Sequence, residues 1–238
     1  MLAKWMMREA PHKKPWTKVI NKNTRKFFVT RSGLGLVTRA VCKTCNGGWM
    51  SRLEYLARPI LQPMMRGKPR TLSAEDQLIL VRWLMKTAMM MEFVPDAIAT
   101  FFQSEDRRGF FESFAIPDNT VMGLARLYTK TVDFRTRSHD IKGKYLVDGL
   151  SDYRAFIITF AIGQAVLQLF SVGRVAVPHA RLLSPLASVG LPVCWKDVDF
   201  QIWPYRQTIY FPPRLALDDA SFETFANRWS EFRWVLGS

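Results

Sequence analysis

The chain is short of cysteine, short of histidine and, over its first third, almost without acid. It has three cysteines in 238 residues. That excludes the disulfide scaffold on which small secreted domains rely. Met1 to Trp16 has basic residues but no continuous apolar stretch and no small-residue cleavage pattern. It therefore does not read as a signal peptide, and a reducing cytoplasm is the expected compartment. There is no internal repeat and no low-complexity tract. Long apolar runs are also lacking, with one stretch to weigh, residues 155–172. It barely reaches spanning length and is interrupted by Gly163, Gln164 and Gln168. Its Ile, Val, Thr and Phe content predicts two buried strands, or a strand and a bulge, in place of a membrane span.

What is there suits a folded protein. The composition is 48% hydrophobic and 23% charged, with 17 Phe and 8 Trp to fill a core. This is too apolar for disorder. The length fits one large domain, or a small module joined to a larger one.

The charge is unevenly placed. The formal net charge is +14. Residues 1–70 hold 16 Lys or Arg against two acids, Glu9 and Glu54, which is already +14. Residues 71–238 hold 18 basic and 18 acidic residues and are neutral. A solubilising surface spreads its charge; an excess confined to one third is the footprint of a polyanionic partner. Nucleic acid is the expected partner, with affinity that falls steeply with salt. No amphipathic basic helix points to an anionic membrane instead.

Pro11 and Pro15 keep the first thirty residues irregular. Residues 26–30 read as a strand, residues 32–35 as a turn and residues 36–41 as a second short strand. The periodicity of Trp49, Leu53, Leu56, Ile60, Leu61 and Met64 predicts a helix from Trp49 to Met65, kinked or split at Pro59. A module boundary is expected near residue 70. Ser73 reads as the N-cap of a long core helix running to Phe93. Shorter helices are expected between Pro95 and Phe114, with Ser104 as a cap. Strands are expected over residues 121–134, 200–203 and 208–211, and a closing helix over residues 221–236.

Cys42 and Cys45 stand two residues apart, a spacing that lets one tight turn present both sulfurs to a tetrahedral zinc. A redox pair carries the same spacing but wants a thioredoxin-like βαβ setting. Here a predicted hairpin in a basic segment precedes the pair, which suits a zinc knuckle. Two further ligands would have to come from elsewhere.

The string from Val41 to Glu54, with Cys42, Cys45, Asn46, Gly48 and Trp49, resembles the second half of HNH endonuclease-like proteins of bacteria and phages. These carry an early CxxC, a Glu-His or Asp-His with an apolar–Pro–Lys–Trp stretch, and a later CxxC-Asn-x-Gly-Trp leading into a helix. The resemblance implies that Cys42 and Cys45 are half of a structural zinc site. It implies that Asn46 helps to hold a catalytic Mg²⁺ or Mn²⁺, which would stabilise the leaving oxygen of phosphodiester cleavage. It covers residues 1 to about 65. The first CxxC and the His-bearing dipeptide are missing. Met1 to Trp5 resembles the stretch that follows that His in the family, so aligned this way the missing residue would fall just before Met1. The chain is accordingly expected to be an N-terminally shortened member, or one read from an internal start codon.

His12, His139, His179 and Cys194 are the remaining soft ligands. His12 is the speculative substitute base, although Lys13 and Lys14 disfavour a cationic imidazolium beside them. His139 and Asp140 are adjacent on a strand and face opposite ways. Trp49 reads as a plug between the zinc turn and its helix, with base stacking as the alternative. Lys13, Lys14, Lys18, Arg25, Lys26, Arg39, Lys43 and Arg52 are the expected phosphate contacts.

The architecture expected is α+β: a small ββα-type zinc-knuckle module over residues 1–70, then a larger mixed α+β domain over residues 71–238. The function expected is binding of nucleic acid, DNA first, by a degenerate or truncated HNH endonuclease-like protein whose cleavage is lost or depends on the missing segment. A homodimer would complete the zinc site. An active metal-dependent endonuclease with substitute ligands, or a protein-interaction module of a phage or defence system, are the alternatives.

Overall fold

A helix that is apolar on nearly all sides has to be surrounded, and the 74–91 helix is. The computed structural model of the protein describes residues 4–9, 19–20, 27–28, 41–93, 101–117, 120–129, 134–144, 152–173, 199–204 and 207–228. Along the chain these form α1 (Lys4–Glu9), β1 (Val19–Ile20), β2 (Phe27–Phe28), α2 (Lys43–Gly47), α3 (Trp49–Met65), β3 (Arg70–Leu72), α4 (Ala74–Met91) and α5 (Ser104–Ser113). They continue with β4 (Thr120–Arg126), β5 (Phe134–Lys144), β6 (Asp152–Ile162), β7 (Ala165–Val172), β8 (Asp199–Trp203), β9 (Ile209–Phe211) and α6 (Asp219–Asn227). The fold is mixed α+β with antiparallel sheets.

Five strands pair in the order β5-β6-β7-β4-β8, every neighbour antiparallel. The apolar run over residues 155–172 supplies most of β6 and β7, and no helix among the described residues is long and apolar enough to cross a membrane. Gly163 turns the hairpin with φ +57°, the left-handed conformation that this first turn position favours in glycine. Side chains alternate between the two faces of the sheet. Leu124, Phe160, Ile162, Leu167 and Leu169 join the core shared with α3 and α4. Ala125, Ala161 and Val166 meet Leu127, Leu217, Phe222 and Phe225 on the other face, under α6. The two glutamines that interrupt the apolar run each have a task. Gln168 Nε2 donates to Thr159 Oγ1 (2.9 Å) and to the Phe225 carbonyl (3.0 Å), and its Oε1 accepts from Arg228 Nε (2.7 Å). Gln164 docks the hairpin tip on α3, its N–H donating to the Met65 carbonyl at 2.9 Å.

α3 contains Pro59 and Pro63. Proline has no N–H, so Pro63 leaves the carbonyl of Pro59 without its helical donor. Arg70 Nη1 donates to that carbonyl at 2.7 Å. The helix closes in a Schellman motif: Gly67 N–H donates to Met64 O (2.9 Å) and Lys68 N–H to Pro63 O (3.0 Å), with Gly67 at φ +69°. α4 begins in a capping box between Ser73 and Asp76.

Some expectations change. Gln103, not Ser104, is the N-cap of α5, because Asp106 reaches back to the Gln103 N–H at 3.0 Å. The 121–134 stretch is two strands, with Leu127 leaving β4 to bridge Leu217. The closing helix is capped by Asp218, whose carboxylate accepts from the Ser221 N–H at 2.7 Å; residues 229–236 lie outside the described residues. Side chains from both sides of residue 70, from Met6 and Leu53 to Leu84 and Ile202, share one core. β3 and β9 also pair across the chain, Arg70 opposite Phe211.

Candidate metal and nucleic-acid interface

Cys42 is the N-cap of α2, with extended backbone, and its Sγ accepts from the Cys45 N–H at 3.3 Å. This is what the two-residue spacing does locally: the turn that starts the helix brings residue 45 back over residue 42. Both thiols are free. The Cys45 N–H, and after it the Cys45 thiol, hold Cys42 below the usual thiol range. Cys45 moves the other way, pushed up chiefly by its hydrogen bond with Cys42 and by desolvation. The indole of Trp49 pulls it down more weakly. Trp49 Nε1 makes no hydrogen bond of ordinary geometry.

Asn46, Lys43 and Arg52 stand with the cysteines. Asn46 and Lys43 are exposed on α2, and the Asn46 N–H donates to Cys42 O at 3.1 Å. Arg52 is exposed in the first turn of α3. His12, Lys13, Lys14, Lys18, Arg25, Lys26 and Arg39 lie outside the described residues, as do His179, Cys194, the expected turn at 32–35 and strand residues 36–40. The side chains of His139 and Asp140 lie outside them too.

The donor set fits half of a structural zinc site. Two thiolates on one tight turn are the right ligands, and a backbone N–H on the sulfur of the first is the support such a turn supplies. Among the described residues no group of three His, Cys, Asp or Glu comes together to complete it.

Trp49 is placed differently from expectation. α2 buries none of its residues, so among the described residues no small core forms beside the knuckle. The ring packs instead against α5, with centroids 5.9 Å from Phe110, 6.0 Å from Phe111 and 5.7 Å from Phe114. Trp49 thus ties the cysteine turn to the far part of the chain.

Both acids of the first seventy residues are withdrawn from the surface. Glu9 accepts from Gln62 Nε2 (2.6 Å) and from Arg66 Nη2 (2.5 Å), and the Arg66 guanidinium holds its carboxyl below the ordinary range despite some desolvation. Glu54 turns inward and pairs with Lys86 of α4, whose side chain is 3% exposed. Lys86 lies 5.7 Å from the centroid of the Trp83 ring. Burial pushes the Lys86 ammonium down; the Glu54 carboxylate opposes that shift. The sequence shows Lys86 as a charge one turn after Arg82 in an otherwise apolar stretch of helix, which calls for a partner without naming one.

With both carboxylates engaged, the outward side of α3 presents Ser51, Arg52, Tyr55, Leu56, Arg58 and Pro59, all exposed. Arg58 lies 5.9 Å from the centroid of the Trp5 ring. Spacing showed most of the inner stripe of this helix but placed Leu56 on it, which is exposed because it falls on the outward side beside Tyr55, and it gave no reason to single out Tyr55 or Arg58. Comparison of the chain with protein-family models, with curated proteins and with solved structures finds no match.

Proposed function

We propose that the protein binds nucleic acid, DNA first, as an HNH endonuclease-like chain degenerate in catalysis. One observation carries this reading: a charge excess of +14 confined to residues 1–70, in which the only two acids, Glu9 and Glu54, are both tied up in ion pairs. A surface whose acids are paired off presents its remaining cations to a polyanion without local competition. The Cys42–Cys45 turn, with Asn46 beside it, supports the family resemblance. In this reading the cysteines hold half of a structural zinc site, and a second copy of the chain supplies the other half. A bound zinc would cross-link the two turns and order residues 41–48.

The test is a gel-shift and nicking assay on supercoiled plasmid, with Mg²⁺ or Mn²⁺ and a salt series. The expected result is a shift that weakens with salt and no nicking. No shift at low salt would overturn the reading. Chelator-sensitive nicking abolished by Asn46→Ala would replace it with an active enzyme. Elemental analysis should find about one zinc per two chains, the ratio required by a shared four-Cys site; one per chain would remove the shared site.

A further inference from the structure

We infer that the outward face of α3 is a single-strand nucleic-acid platform in which Tyr55 stacks on an unpaired base between the phosphate contacts Arg52 and Arg58. This rests on the nucleic-acid reading above and names the element and the form of ligand. Tyr55 is 78% exposed, the largest exposure among the large hydrophobic side chains of the described residues. Arg52 lies three residues before it and Arg58 three residues after. On a helix those spacings place all three side chains on one surface. Pro59 flanks the ring one turn on. It has no N–H for the Tyr55 carbonyl, which loses its helical partner on the same outward side.

The charge of this face is what separates it from an ordinary solvated helix. Glu54 is the only acid in α3, and it points into the core to meet Lys86. The other exposed helices differ. α5 mixes Glu105, Asp106 and Glu112 with Arg107 and Arg108. α6 offers Asp219 and Glu223, which pair with Arg135 and Arg137 of β5. α3 alone among the long described helices shows an aromatic ring with cations and no carboxylate on its solvent side. Lys43, also exposed, lies on α2 just before α3 in the chain.

An exposed ring set among arginines selects for single strands. In a duplex the faces of the bases are covered by their neighbours, and only edges and phosphates are accessible. A tyrosine that offers its flat face needs a base with a free face, and every base has one once unstacked. Arginines at either side then track the backbone and tolerate any sequence. DNA and RNA single strands share this chemistry.

The experiment uses the full chain, as purified, and fluorescence anisotropy of labelled oligothymidylate and oligouridylate against a duplex of the same length, across a salt series. Wild type is expected to bind the single strands more tightly than the duplex. Tyr55→Ala should weaken single-strand binding about tenfold or more without changing its salt dependence or its duplex affinity. Tyr55→Phe, which keeps the ring, should stay within about twofold of wild type. Arg52→Ala and Arg58→Ala should each reduce the slope of log affinity against log salt by about 0.7. Relative affinity for the thymidylate and uridylate strands tells DNA from RNA. Wild type that binds strands but is insensitive to Tyr55→Ala, or that binds only duplex, overturns this inference and leaves the broader reading standing. Wild type that binds no nucleic acid at low salt overturns both.

Discussion

Glu54→Ala should destabilise the protein far more than the loss of one surface acid. Lys86 is 3% exposed, and it pairs with Glu54, 14% exposed on the neighbouring helix. Removing the carboxylate strands an ammonium in the core between Trp83 and α3. Breaking a buried pair from one side costs about 3–5 kcal/mol. For a domain of this size that is a fall in Tm of about 6–20 °C. Glu54→Gln keeps an acceptor for Lys86 and removes only the charge, so its loss should be smaller. The double variant Glu54→Leu with Lys86→Met replaces the pair by apolar groups of similar length and should return to within about 2 kcal/mol of wild type. The pH dependence adds a second signature. Lys86 is already pushed down by burial, and the Glu54 carboxylate is what opposes that push. In Glu54→Ala it falls further. Between that lowered value and the unfolded lysine value of about 10.4, the unfolded chain binds more protons than the folded one. Stability of the variant therefore rises with pH across this window, more steeply than in wild type. Urea unfolding at several pH values reads both effects. A cost under about 1 kcal/mol, with no pH dependence, would refute the buried-pair argument.

Gly67→Ala should cost about 2–3 kcal/mol, from the left-handed backbone and the loss of one hydrogen bond. A Cβ there would lie 2.2 Å from Gln164 Oε1, the atom that accepts from Arg126 Nε at 2.9 Å. In a Gln164→Ala background only the backbone part should remain, and urea midpoints of the four proteins check this. Alkylation of the metal-free protein by iodoacetamide, with mass spectrometry across a pH series, should modify Cys42 before Cys45. The Cys45 N–H lowers the first thiol, and the second is raised by its bond to the first. Equal rates at both would remove the asymmetry read from this turn.

Much of the fold is legible wherever local chemistry decides it. The bounds of α3 come from an apolar stripe that starts after Gly48 and stops at Gly67, and the start of α4 from Ser73 ahead of two acids. The hairpin in residues 155–172 comes from Gly163 between β-branched runs. What is not legible is tertiary. Three-residue strands at residues 70–72 and 209–211 carry too little pattern to be matched across the chain. Gln103 is an unusual cap, and the clue to it is Asp106 three residues on. The site is legible as a cysteine turn and a basic segment. That Glu9 and Glu54 turn away from solvent depends on Arg66 and Lys86, which come close only in the folded chain.

The same arrangement makes metal and fold separable. α2 buries no residue, and its link to the core runs through Trp49, whose ring meets two phenylalanines of α5 and Phe114 just after it. α3 is held independently of the cysteines. Its C-terminal end has the Schellman turn and Gln164, its middle has Glu54 on Lys86, and its inner stripe lies in the main core. Zinc-loaded protein treated with a chelator should therefore keep its urea midpoint within about 1 kcal/mol, while amides 43–48 lose hydrogen-exchange protection. Trp49→Ala should do the reverse in part. Removing a large ring from a cluster costs about 3 kcal/mol or more and frees the turn whether or not metal is bound. A chelator that unfolds the whole chain would mean that the cysteine turn supports the core through contacts other than Trp49, and that the Schellman turn, the Glu54–Lys86 pair and the inner stripe do not hold α3 by themselves.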